Sequence, residues 1–65
     1  MAAKPRFSDY APVRLMRPLT TEGTYMPEGS MGVIMATYSD GLAYEVEFEK
    51  PTHAVLTVED KDLAE

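Results

Sequence analysis

Apolar and polar residues alternate most clearly just after the middle of the chain. Tyr44, Val46 and Phe48 are each followed by a glutamate, and a period of two is typical of a strand with one buried face. The pair Asp40-Gly41 precedes this segment and favours a tight turn, and a mostly apolar stretch precedes the turn. The pattern therefore predicts a β-hairpin that consists of strands 31–38 and 42–49.

Weaker patterns predict two further strands and the segments between them. Val13 and Leu15 alternate with longer or charged side chains in a strand over 12–17, and Leu56 and Val58 would face the core from a strand over 53–58. Glycine and proline mark 20–30 as a long loop, and the acidic stretch 59–62 suits a single helical turn before a buried Leu63. The apolar run of strand 31–38 does not alternate cleanly, which predicts a bulge or bend near Gly32.

These elements together predict an all-β fold. Four to five short strands, one long loop, tight turns and one helical turn are typical of a small, strongly bent antiparallel barrel. Residues 1–9 have no periodicity and contain Pro5, so we expect a flexible N-terminal segment followed by a single domain over 10–65. A chain of 65 residues allows only one domain.

Composition narrows the classes of function. The chain has no cysteine and one histidine, so a disulfide is excluded and we expect neither a metal nor a cofactor. It has no apolar run of about 20 residues and no apolar signal-peptide core, and the expected protein is soluble and cytoplasmic. Its net charge is −5, which opposes binding to nucleic acid.

Three groups of residues suggest chemistry but have simpler structural explanations. Gly29 and Gly32 could belong to a phosphate-binding loop, but the lysine and the helix that follow the glycines of a P-loop are not found here. A turn and a close backbone approach are therefore expected. The glutamates at 45, 47 and 49 are expected on a solvated outer face, with contact to a basic partner as the alternative. His53 has no evident nucleophile beside it, so we expect no enzyme activity.

The long loop contains the candidate residues for binding a partner. Tyr25 and Met26 in this loop and Met31 just after it are apolar residues that strands do not need there, and acidic Glu22 and Glu28 are near them in the sequence. Methionine adapts to irregular surfaces and tyrosine is enriched at interfaces, which favours a contact surface. The alternative is that these apolar side chains fold back as a lid on the core.

The basic residues are concentrated at the start of the chain. The first twenty residues hold four cations and one acid, and the other 45 hold ten acids and two cations. Arg14 and Arg17 could contact phosphate, but strict alternation places them on different faces. We therefore expect them to pair with acids of strand 42–49 or of the C-terminus.

The order of motifs resembles a known family. Val13-Arg14-Leu15, then Pro27 to Ile34 with its G-x-x-G spacing, then Tyr44 to Phe48, and a final Leu56-Thr57-Val58 and Asp62-Leu63 resemble the bacterial Domain of Unknown Function 4926 family. The arrangement is also similar to the C-terminal barrel of the nitrile hydratase β subunit and to the KOW motif. The resemblance implies an SH3-like barrel over residues 11–64, and the motifs that match are fold motifs.

The implied function is protein–protein binding without catalysis. Some members of the family resemble the small acidic, neutralising partner of a two-gene pair, as in toxin–antitoxin or immunity systems. The expected partner is then a protein, and the acidic charge of this chain favours a basic one. The alternatives are a KOW-like contact with nucleic acid and an accessory subunit of a metalloenzyme that resembles nitrile hydratase.

Overall fold

The computed structural model describes residues 4–65, and the described chain is all-β. Seven strands follow in order: β1 (Pro12–Leu15), β2 (Leu19–Thr21), β3 (Thr24–Met26), β4 (Met31–Tyr38), β5 (Ala43–Phe48), β6 (Ala54–Glu59) and β7 (Leu63–Ala64). Two 3-10 turns, Ser39–Gly41 and Asp60–Asp62, separate β4 from β5 and β6 from β7. The expected helical turn near the C-terminus is therefore confirmed.

The strands form two antiparallel sheets. The larger sheet has the order β6-β5-β4-β1-β7, and β2 pairs only with β3. The predicted hairpin is confirmed: Gly32 lies opposite Phe48 and Ile34 lies opposite Val46 in the β4–β5 ladder. Gly41 in its turn has φ +99°, as an Asp-Gly turn between two strands requires.

The prediction of a long loop over 20–30 is wrong, because β2 and β3 form a second small hairpin there. Thr20 of β2 lies opposite Tyr25 of β3, and the turn between these strands uses Glu22 and Gly23, both with positive φ. Threonine and tyrosine favour extended backbone and glycine favours this turn conformation. The strands have only three residues each, too few to show a convincing alternation in the sequence.

Strand β4 bends at a different residue from the one expected. The register shifts between Ile34 and Ala36, so the bulged residue is Met35 and not a residue beside Gly32. Gly32 has another role, in which it permits close contact with β5. A Cβ at this position would lie 2.7 Å from Val46 Cγ1 and 2.8 Å from the carbonyl oxygen of Glu47. The close approach expected at Gly32 is thus confirmed, and Gly29, with φ +87°, occupies the expected turn.

One apolar core lies on the inner side of the larger sheet. The inward-facing side chains of β5 are fully buried, as predicted, and those of β1, β4 and β6 pack against them. The core consists of Phe7, Val13, Leu15, Met26, Ile34, Tyr44, Val46, Phe48, Leu56, Val58 and Leu63. Val55 and Thr57 face outward from β6 and His53, just before this strand, is also exposed, as expected. Leu63 closes the core after the second 3-10 turn.

The N-terminal segment contributes to the core, although residues 1–9 were expected to be flexible. Residues 1–3 lie outside the described part of the chain. The Phe7 ring packs edge-on against Tyr44 with ring centroids 5.5 Å apart, and the Arg6 guanidinium lies 4.7 Å above the Phe7 ring. Arg6 also donates hydrogen bonds to the Asp60 carboxylate and to the carbonyl oxygens of Asp60 and Leu63. The folded unit therefore includes Arg6 and Phe7.

Replacing Phe7 by alanine tests this extension of the core. Phe7 is 5% exposed and Tyr10, three residues later, is 72% exposed. We expect Phe7→Ala to lower the free energy of unfolding by about 3 kcal/mol, and Tyr10→Ala to lower it by less than about 1 kcal/mol. Urea denaturation of both variants measures the difference, and equal losses would show that Phe7 does not pack on the core.

Candidate protein-binding surface

The structure separates the apolar residues that the sequence grouped as one contact surface. Tyr25 is 58% exposed and Met31 is 66% exposed, but Met26 is completely buried. Tyr25 and Met26 are consecutive residues of β3, so their side chains point to opposite sides of that strand. Met26 thus corresponds to the lid alternative, whereas Tyr25 remains available to a partner. Glu22 and Glu28 are both exposed at turns.

Exposed apolar side chains also follow strand β4, and the sequence analysis did not identify them as a surface. Met31, Val33 and Met35, which we call the β4 stripe, are 66%, 36% and 40% exposed. Gly32 and Ile34 alternate with them and are buried. The apolar run of β4 concealed this arrangement, because both faces of the strand carry apolar residues and only the fold decides which face is covered.

A row of glutamates lies directly beside the β4 stripe. Val33 is opposite Glu47 in the β4–β5 ladder, and Glu47 is opposite Val55 in the β5–β6 ladder. Glu45 and Glu47 face outward, as expected, but they are half-buried rather than fully exposed. We call Glu45, Glu47 and Glu49 the glutamate row. The outer face of the sheet therefore carries an apolar line and an acidic line on neighbouring strands.

Neighbouring side chains hold the glutamate row in place. Thr57 donates a hydrogen bond of 2.8 Å to Glu45 Oε1, and the Tyr38 hydroxyl lies 3.5 Å from the same oxygen. His53 Nε2 lies 2.8 Å from Glu47 Oε2 and 3.9 Å from Glu49 Oε2. These contacts reduce the freedom of the glutamate side chains and so lower the entropy that they lose on binding.

Glu47, Glu49 and His53 also lie close enough to offer ligands to one metal ion. Their ligand atoms all lie within 4.8 Å of one another, and carboxylate with imidazole suits several divalent transition metals. His53 Nε2 and Glu47 Oε2 already form a hydrogen-bonded pair. The arrangement is therefore accounted for without an ion.

All three arginines contact groups within the same molecule. Arg17 Nε lies 3.1 Å from Asp62 Oδ1, and Arg14 donates a hydrogen bond of 3.0 Å to the Glu65 carbonyl oxygen. Asp62 Oδ1 makes no hydrogen bond of good geometry with the described residues, so its contact with Arg17 is electrostatic. The expected pairing with an acid near the C-terminus is confirmed for Arg17, whereas Arg14 contacts a carbonyl oxygen there and not an acidic side chain.

Met31 projects between two shallow grooves. One groove lies beside Phe7, Pro12 and Val13, and the other lies beside Pro27, Glu49 and Pro51. A large, flexible side chain between two grooves can adapt to the shape of a bound partner. Met31 is also the most exposed member of the β4 stripe.

Comparisons with protein-family models, with curated proteins and with solved structures give no match. The resemblance to the Domain of Unknown Function 4926 family and to SH3-like barrels therefore stays a prediction. Within residues 4–65, no helix is long and apolar enough to cross a membrane.

Substitutions at two adjacent residues of β3 distinguish its buried side from its exposed side. We expect Met26→Ala to lower the free energy of unfolding by about 3 kcal/mol, because it leaves a cavity in the core. Tyr25→Ala removes one cross-strand contact and should cost less than about 1 kcal/mol. Thermal melting compares them directly, and a Tyr25→Ala variant that melts as low as Met26→Ala would contradict the exposed position of Tyr25.

The glutamate row should raise the pKa of His53 measurably. The hydrogen bond to Glu47, followed by the negative charge of Glu49, raises this pKa above its ordinary value of 6.5. The interaction therefore stabilises the fold fully below pH 6.5, and this contribution is lost as the pH rises through the raised pKa. We expect Glu47→Gln to lower the pKa, and Glu22→Gln to leave it unchanged.

Proton NMR can follow the ring of the single histidine across this pH range. The signal is unambiguous because the chain contains one histidine. If the same pKa were found in the wild type and in Glu47→Gln, the contact between Glu47 and His53 would not exist in solution.

Proposed function

We propose that the protein is a non-enzymatic protein–protein binding module. The observation that carries this proposal is the β4 stripe, Met31, Val33 and Met35, which is exposed on a strand whose other face is in the core. Exposed apolar residues that form a continuous line, with polar residues beside them, are typical of surfaces that bind other proteins. Scattered single apolar residues would carry no such meaning.

The residues suggested by the sequence fit this proposal in part. Tyr25 and Met31 are exposed apolar side chains and act as the proposed contact residues, with Glu22 and Glu28 as charged residues at the rim. Met26 is buried in the core and takes no part in the proposed contact. Because the β2–β3 hairpin has regular backbone pairing, it presents Tyr25 on an ordered element, which reduces the entropy lost on binding.

The contacts of His53 support binding rather than catalysis. Its nearest charged neighbours are Glu47 and Glu49, and this is the arrangement of an ion pair. A histidine that activates a hydroxyl or thiol would instead lie in hydrogen-bond reach of that nucleophile. We therefore assign His53 to the charged outer face, where it contacts Glu47 and Glu49.

Nucleic acid is the less favoured ligand. A phosphate backbone is bound by clustered cations, and Arg6, Arg14 and Arg17 contact acidic side chains or carbonyl oxygens of their own chain. The acidic net charge of −5 adds repulsion. A neutralising partner of a two-gene pair and an accessory subunit of a metalloenzyme are both forms of protein binding, and the identity of the captured protein would distinguish them.

Affinity capture with matched variants tests the proposal. Immobilised wild-type protein and two variants, Met31→Lys and Leu42→Lys, are exposed to an extract of the source cell, and retained proteins are identified by mass spectrometry. Leu42 is 72% exposed but lies in the turn between β4 and β5. We expect a protein that is retained by the wild type and Leu42→Lys and lost from Met31→Lys, because a buried contact residue typically contributes about 2 kcal/mol.

Both variants should melt near the wild-type temperature because both side chains are exposed. If Met31→Lys and Leu42→Lys retain the same proteins as the wild type, the β4 stripe is not a binding surface and the proposal is wrong.

A further inference from the structure

We propose that the outer face of β4 and β5 binds an extended, basic segment of the partner, in which cationic and aliphatic side chains alternate. The aliphatic side chains would lie over the β4 stripe, and the cations would pair with the glutamate row. This inference rests on the proposed function and adds to it the binding face and the chemistry of the partner.

The spacing of the two lines suits such a segment. Neighbouring strands lie about 4.8 Å apart, and alternate residues of one strand are about 7 Å apart. The glutamate row therefore repeats at the same interval as alternate side chains of an extended chain. A segment that runs above the boundary between β4 and β5, turned so that its alternating side chains point sideways towards the two strands, places one set over the β4 stripe and the other over the glutamate row.

The glutamates retain capacity for a further hydrogen-bond donor. Contacts with Thr57 and Tyr38 use Oε1 of Glu45, and the contact with His53 uses Oε2 of Glu47. Each carboxylate has a second oxygen that accepts no hydrogen bond from the described residues. Charge-assisted pairing with arginine can use such an oxygen, and the neighbouring apolar side chains shield the pair from water.

Charge favours a basic partner over a second copy of this chain. The glutamate row carries three carboxylates, whereas Arg14, the arginine on this face, lies on β1 opposite Met31, on the other side of β4 from the glutamate row. Two copies would bring together net charges of −5, and repulsion of this kind opposes self-association. A segment rich in arginine or lysine would instead be attracted and guided to the face.

Titration with designed peptides tests the inference. The probe is an eight-residue synthetic peptide of alternating arginine and leucine, and the comparison peptides replace all leucines by serine or all arginines by glutamate. Binding is followed by NMR of the backbone amides at physiological salt. We expect the arginine–leucine peptide to shift amides of β4 and β5 and to bind more tightly than either comparison peptide.

Two double variants with equal changes of charge give the control. Glu45→Gln with Glu47→Gln should weaken binding of the arginine–leucine peptide about fivefold, since two partly exposed ion pairs are removed. Asp9→Asn with Asp40→Asn removes the same charge from two exposed turns and should weaken binding of the same peptide by less than about twofold. Equal weakening by both would show that binding follows net charge and not this face, which would overturn the inference.

Two further results would also overturn it. Equal affinity for the arginine–leucine and arginine–serine peptides would show that the β4 stripe takes no part. Sedimentation of the wild type as a dimer that Met31→Lys dissociates would make a second copy the occupant. The proposed function would survive either result if affinity capture still depended on Met31, so the two proposals can fail separately.

Discussion

The close contact between β4 and β5 at Gly32 is the constraint on which the rest of the fold depends. Gly32 lies between Val13 of β1 and Phe48 of β5 in the register of the sheet, and all three positions face the core. Since this residue has no side chain, Val46 and Phe48 can fill the space beneath β4. Any larger residue would push the two central strands apart and would open the core of a domain too small to absorb the loss.

Contacts between the two ends of the chain add to the packing that the sheet provides. Arg6 connects the N-terminal segment to Asp60 and Leu63, and Arg17 and Arg14 contact Asp62 and Glu65. The basic start of the chain therefore lies against its acidic end. Each exposed ion pair contributes little by itself, but the contacts of Arg6 hold Phe7 over Tyr44 and so bury apolar surface, which contributes more.

These contacts of the arginines leave the glutamate row as the main charge on the outer face of the sheet. With these cations engaged at the ends of the chain, the glutamate row lies beside the β4 stripe with His53 as its nearest titratable cation. The same strand β5 thus serves two purposes: Tyr44, Val46 and Phe48 fill the core, and the glutamates between them give the opposite face its charge. The proposed binding of a basic segment follows from that second face.

The sequence by itself determined the elements in which alternation was strong. The period-two pattern of β5, the Asp40-Gly41 turn and the inward residues of β6 follow from side-chain geometry within one strand, which is local. Only the tertiary structure decided where Phe7 packs, that Met26 is buried and that the bulge lies at Met35. These features depend on contacts between residues distant in sequence, and the β4 stripe is a surface only because no other described strand covers it.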